Sequence, residues 1–177
     1  MAKQQLILVD EDDKFLGRYA IKADCHTGEG LHHRAFTLLI INNQKEVLLQ
    51  DRKHQLWDHF WDLTNSHPLH LENGSDETTP QAASRCLRRE WGIDFPVKKL
   101  FTFNYFSQYE GNFCENECCY FLVGKYQGEV HPNPEVAYGY KWMPLDQLLE
   151  DINIHPEIYT PWLMRALKEV KKRNLNV

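Results

Sequence analysis

One helix signature interrupts a chain that otherwise reads as strands, and its position limits the fold. Thr79-Pro80 supplies an expected N-cap at Thr79 and a proline in the first turn. Ala82, Ala83, Cys86, Leu87 and Glu90 then recur at i, i+3, i+4 spacing, and Gly92 stops the run. Before it lie short apolar strands at 6–9 and 15–21, joined through the acidic turn 10–13. A hairpin follows, 34–41 to 46–50, with the polar turn Asn42-Asn43-Gln44-Lys45. After the helix, strands are expected at 100–106, 118–124 and 141–143, and helices at 145–151 and 161–173. Strands, one helix, more strands and terminal helices imply an α/β/α sandwich on a mixed sheet, not a regular βαβ wheel.

At 177 residues, a single domain spanning the chain is expected, large enough to bury a core. The formal charge of −5 gives no bulk attraction to nucleic acid or anionic membranes. Any bound phosphate must be met by a few placed cations. No apolar run approaches the roughly 20 residues of a transmembrane helix, and residues 1–5 lack a signal-peptide core. The five cysteines are therefore expected as reduced thiols in a cytoplasm. Their number is odd and they form no CxxC pair, which opposes both a disulfide scaffold and a zinc ribbon.

Residues 51–73, rich in Trp, His and Asp and without a clean period, read as a functional loop. Three pieces carry metal-binding side chains: His26, His32 and His33 ahead of a strand, His67-Pro68 at the end of this loop, and Glu115-Asn116-Glu117. Alternate strand positions share a face, so the carboxylates of Glu115 and Glu117 point the same way. Two such anions repel unless a cation lies between them. Three imidazoles and two carboxylates form a mixed N/O set suited to Mn2+, Zn2+ or Mg2+.

The helix segment Glu77-x7-Arg85-Cys86-Leu87-Arg88-Arg89-Glu90-Trp91-Gly92-Ile93 resembles a Nudix box. Glu77, Arg85, Leu87, Glu90, Gly92 and Ile93 match the pattern, but Leu71, Cys86 and Arg89 replace a glycine and two carboxylates. The same segment also reads as an amphipathic helix with a charged outer face. A cationic Arg89 where a metal-binding carboxylate is expected opposes ordinary diphosphate hydrolysis.

In this order, with Lys22-x3-His26, His33-Arg34-Ala35-Phe36, Arg52, Thr64-Asn65-Ser66, Tyr105 and Thr160-Pro161-Trp162, the pieces resemble the type I isopentenyl-diphosphate isomerase family. The resemblance implies a Nudix-like fold. It also implies an activity, double-bond transposition from isopentenyl to dimethylallyl diphosphate in isoprenoid biosynthesis. It assigns one Mn2+ or Zn2+ to His26, His33, His67, Glu115 and Glu117, with His33 chosen over His32 by the family's His-x-Ala-Phe pattern. Glu90 would help hold Mg2+ on the substrate diphosphate, and Lys22 and Arg52 would contact that diphosphate. Glu117 and Tyr105 would carry a proton, and Trp162 would stabilise a tertiary cation through its ring. The partner is then a small-molecule diphosphate, and the protein a monomer.

The sequence departs from the family in three places. The family loop carries a catalytic cysteine before His-Pro, whereas Ser66 runs directly into His67. A family lysine aligns with Leu56, and a box arginine with Cys86. Cys25 or Cys114, or Asp58, His59 or Asp62 of the 57–62 segment, could take over the missing role. For Cys25, Cys114 and Cys119 the preferred reading is a small buried residue. Two other functions stay open: a Nudix-type diphosphohydrolase, and a non-catalytic, metal-stabilised paralogue that binds a prenyl diphosphate or a protein.

Overall fold

The computed structural model describes residues 4–175. Residues 1–3 of the segment read for a signal peptide, and the last two of the single-domain expectation, lie outside it. The elements run β1 (Gln5–Val9), β2 (Phe15–Ile21), a short α1 (Lys22–Cys25), β3 (His33–Ile41), β4 (Glu46–Arg52) and β5 (Trp61–Asp62). Next come β6 (Asn65–Pro68), β7 (Leu71–Glu72), β8 (Ser75–Asp76), α2 (Thr79–Trp91), β9 (Lys98–Gln108) and β10 (Cys114–Lys125). β11 (Ala137–Pro144), α3 (Leu145–Ile154), a 3-10 turn and α4 (Pro161–Lys172) complete the chain.

β3 is the axis of the sheet. β10 runs parallel beside it from Glu117↔His33 to Lys125↔Ile41, and β9 pairs antiparallel with β10. The mixed sheet read from the sequence is therefore present. The expected hairpin is looser, because β3 and β4 pair only at Ile41↔Val47 before they diverge. β6 takes the vacated edge, from Ala35↔Pro68 to Leu38↔Asn65, while β4 pairs mainly with β11. The segment read as an irregular loop thus contains the end of β4 and the short strands β5, β6 and β7. Its Thr and Asn side chains satisfy long-range partners, so it shows no period.

Alternation sorts the core into two layers. Phe36, Leu38 and Ile40 of β3 and Cys118, Tyr120 and Leu122 of β10 pack against Ala82, Ala83, Cys86, Leu87 and Trp91 of α2. Leu39, Ile41, Cys119 and Phe121 on the opposite face meet Leu163, Ala166, Leu167 and Val170 of α4 and Leu148 of α3. This is the expected α/β/α sandwich. The N-cap of α2 is Thr78, one residue before the expected Thr79, because Gln81 completes a capping box with it. Gly92 closes the helix at φ 66°, a left-handed position that favours glycine. Among the described residues no helix is long and apolar enough to cross a membrane.

Candidate active site

Sheet register builds the centre of the site. Glu117 lies beside His33 in the parallel β10–β3 pair and opposite Tyr105 in the antiparallel β10–β9 pair. Tyr105, Glu117 and His33 therefore form a row across three strands on one face, with Glu115 two positions along. His26 enters from the end of α1, where its Nδ1–H donates to the Lys22 carbonyl at 2.7 Å. His33 Nδ1–H donates to the Leu31 carbonyl at 2.9 Å. Both rings thus turn Nε2 inward as the free lone pair, the tautomer a metal requires.

The ligand atoms of His26, His33, Glu115 and Glu117 lie within 4.8 Å of one another, and all four residues are buried. His26 Nε2 lies 3.1 Å from Glu115 Oε2, and His33 Nε2 lies 3.6 Å from Glu117 Oε1. His33 Nε2 and Glu115 Oε2 have no hydrogen-bond partner among the described residues. Buried polar atoms are rarely left this way. Two imidazoles, two carboxylates and inward-facing orphaned atoms fit a divalent transition metal. The carboxyl of Glu115 is raised by burial and then by the charge of Glu117. Burial also opposes ionisation of Glu117, but the Tyr105 hydroxyl, which donates to its Oε2 at 2.6 Å, and His33 when its ring is protonated hold it low.

His32 points to the other face, where its Nδ1 meets Asn116 Oδ1 at 2.9 Å. The loop before β3 docks closely here: a Cβ on Gly30 (φ 59°) would lie 2.6 Å from Cys114 Sγ and from the Cys25 carbonyl.

His67 and Glu90 stand apart from that group, though all six expected ligands except His33 line one pocket. His67 Nε2–H donates to Glu90 Oε1 at 2.7 Å, and Arg89 Nη2 donates to the same oxygen. Asn65 Nδ2 reaches Glu90 Oε2 at 2.5 Å, with Gln50 Nε2 at 3.4 Å. Burial opposes charge on both residues. Cys86 and then Glu90 nevertheless raise His67 to about 10, and His67 and Arg89 lower Glu90. The other surviving box carboxylate, Glu77, is held bidentately by Arg85 at 2.7 and 3.0 Å. Glu90 therefore does not fit a Mg2+ ligand as it stands, because protein donors already occupy both of its oxygens.

The remaining expected residues line the same pocket. Lys22 starts α1, with its amine lowered by burial, and Arg52 ends β4. Trp162, 2% exposed, lies with its ring 5.0 Å from the Arg52 guanidinium. Both are tied to Asp62, whose Oδ2 accepts from Arg52 Nη1 at 2.8 Å. Its Oδ1 accepts from Trp162 Nε1 at 2.8 Å, Thr160 Oγ1 at 2.9 Å and the Leu63 N–H at 2.8 Å.

The sequence does not reveal Asp62 as this hub, nor Gln50 and Lys53 as pocket residues. His54 was also missed. It lines the pocket with its Nδ1 accepting from the Leu56 N–H at 3.1 Å, and burial and the nearby cations push it down to about 3.

The candidates for the missing cysteine fare poorly. No cysteine lines the pocket. Cys25 is buried and pushed up to about 12, and Cys114 and Cys119 are also buried and raised. Asp62 has its oxygens engaged, Asp58 accepts from the His54 N–H at 3.1 Å, and His59 stacks on Tyr138 at 3.8 Å.

Residues 31–163 match the NUDIX domain family model. An isopentenyl-diphosphate Delta-isomerase of Serratia proteamaculans is 32% identical over 94% of this chain and 91% of its own length. One of Haloarcula marismortui is 34% identical over 97% and 94%. Among solved structures, a MutT protein from Methanosarcina mazei superposes with a TM-score of 0.63 at 18% identity, covering 82% of this chain and 96% of its own. At that identity the likeness speaks for the fold alone.

Proposed function

The chain belongs to the Nudix superfamily and, within it, to the type I isopentenyl-diphosphate isomerases, and from that premise we propose that it converts isopentenyl to dimethylallyl diphosphate. The observation that carries this reading is the buried row Tyr105–Glu117–His33, completed by His26 and Glu115, at the floor of a pocket rimmed with cations. Of the divalent ions, Mn2+ or Zn2+ suits two imidazoles and two carboxylates best. When bound, such an ion would neutralise the paired carboxylates and fix their orientation.

The reaction adds a proton at the terminal alkene carbon and removes one from the carbon next to the C–O carbon. Glu117, sharing Oε2 with the Tyr105 hydroxyl, is the proton carrier on the metal side. The face of Trp162, locked by its N–H to Asp62, stabilises positive charge developing at the tertiary carbon. Lys22 and Arg52 hold the diphosphate end. The second proton, which family members pass to a cysteine, meets no thiol among the residues that line the pocket; Cys86, against His67, is fully buried. That absence favours, as a second reading, a paralogue that binds a prenyl diphosphate without turnover. Hydrolysis is disfavoured because Glu77 and Glu90 are both held by protein cations. The pocket residues named here all come from one chain, in keeping with a monomer, and five free thiols suit the cytoplasm.

The test is incubation of metal-loaded protein with isopentenyl diphosphate in deuterated water, followed by NMR. Deuterated dimethylallyl diphosphate is expected. Metal-loaded protein that gives neither exchange nor product would leave only the binding reading.

A further inference from the structure

We propose that the diphosphate in this pocket is gripped by fixed protein cations, Arg89 foremost, and needs no bridging Mg2+. The inference rests on the diphosphate reading above and concerns how that group is held. A Nudix-type Mg2+ site needs several carboxylate oxygens facing the ligand. Here two of the three helix carboxylates are Cys86 and Arg89. The third, Glu90, receives donors on both oxygens: His67 and Arg89 on Oε1, Asn65 and Gln50 on Oε2. Glu77 is held by Arg85. The only metal-competent cluster among the described residues is the His26–His33–Glu115–Glu117 group, which excludes both.

At one of the two lost carboxylate positions a positive charge appears. Arg89 lines the pocket with its side chain 48% exposed, and its hydrogen bonds among the described residues run through Nη2 alone. The rest of its guanidinium fork can reach a ligand. Lys22, Arg52 and Lys53 line the same pocket. Arginine offers phosphate oxygens a bidentate, charge-assisted contact, which is the neutralisation a Mg2+ ion otherwise provides. Arg89 thus stands in for the ion, and its Nη2 bond to Glu90 keeps it on the pocket wall.

The experiment is calorimetric titration of inorganic diphosphate into Mn2+- or Zn2+-loaded protein, freed of excess metal, with and without added Mg2+. The affinity is expected to change by less than about twofold on adding Mg2+. Arg89→Gln should weaken binding about tenfold in the absence of Mg2+, and Arg89→Glu should make binding depend on it. Both variants take a donor from buried Glu90, so lower melting temperatures are expected, and binding is compared at a temperature where each variant is fully folded. Binding by the parent only when Mg2+ is present, or undiminished binding by Arg89→Gln, overturns the proposal and leaves the diphosphate reading standing. No binding under either condition overturns the diphosphate reading itself.

Discussion

The site contains two clusters of buried carboxylates that answer the same electrostatic problem differently. Glu115 and Glu117 face each other and two inward-turned imidazoles, and two of the buried ligand atoms have no hydrogen-bond partner among the described residues. Glu77 and Glu90 are just as buried, yet each is matched by a guanidinium and by further N–H donors. An uncompensated anion is costly inside a protein. The first cluster therefore calls for a metal from outside, while the second carries its cations in the sequence. Two superficially similar carboxylate motifs thus predict opposite responses to metal.

Chemistry provides the largest expected contrast. Glu117→Gln should lower the exchange rate in deuterated water by about 10²–10⁴-fold, the range of a lost general acid–base. Glu90→Gln should spare the proton transfer step and act on stability. It leaves Arg89 and His67 without their shared anion, at a cost of about 3–5 kcal/mol in denaturant titrations. A comparable kinetic loss in both variants would break the distinction. Metal removal comes next. Saturating Mn2+ or Zn2+ at about 100 times Kd should stabilise the parent by about 2.7 kcal/mol, and His33→Ala should abolish that shift.

The smallest effect concerns pH. His70, beside Glu77, is lowered to about 4 by burial and by the Arg85 charge. The unfolded chain therefore takes up this proton before the folded one does. Its share of stability is full above about pH 6.5 and is lost as pH falls toward 4. His70→Gln should flatten that part of the denaturation profile between pH 7 and 5. An unchanged slope would remove His70 from the account.

Much of the metal side was legible in the sequence, because strand alternation alone places Glu115 and Glu117 on one face. The choice between His32 and His33 is one of parity. The parallel register puts His33 beside Glu117 and sends His32 to Asn116. The box side was legible only as a list of departures. What satisfies Glu90 comes from Gln50, Asn65 and His67, on two other strands, and no local period signals such distant donors. Asp62 escaped for the same reason: Thr160 and Trp162 bind it from the opposite end of the chain. α1 was missed because four residues are too few to show a helical repeat.

The parallel pairing of β3 with β10 also has a kinetic consequence. Parallel neighbours cannot be joined by a tight turn, so His33 and Glu117 meet only after the intervening chain, including α2 and β9, has found its place. The His26–His33–Glu115–Glu117 group therefore cannot assemble before β3 and β10 have paired. A chain still emerging during synthesis presents isolated histidines to the cell's metal pool, and the full ligand set exists only once the fold has closed.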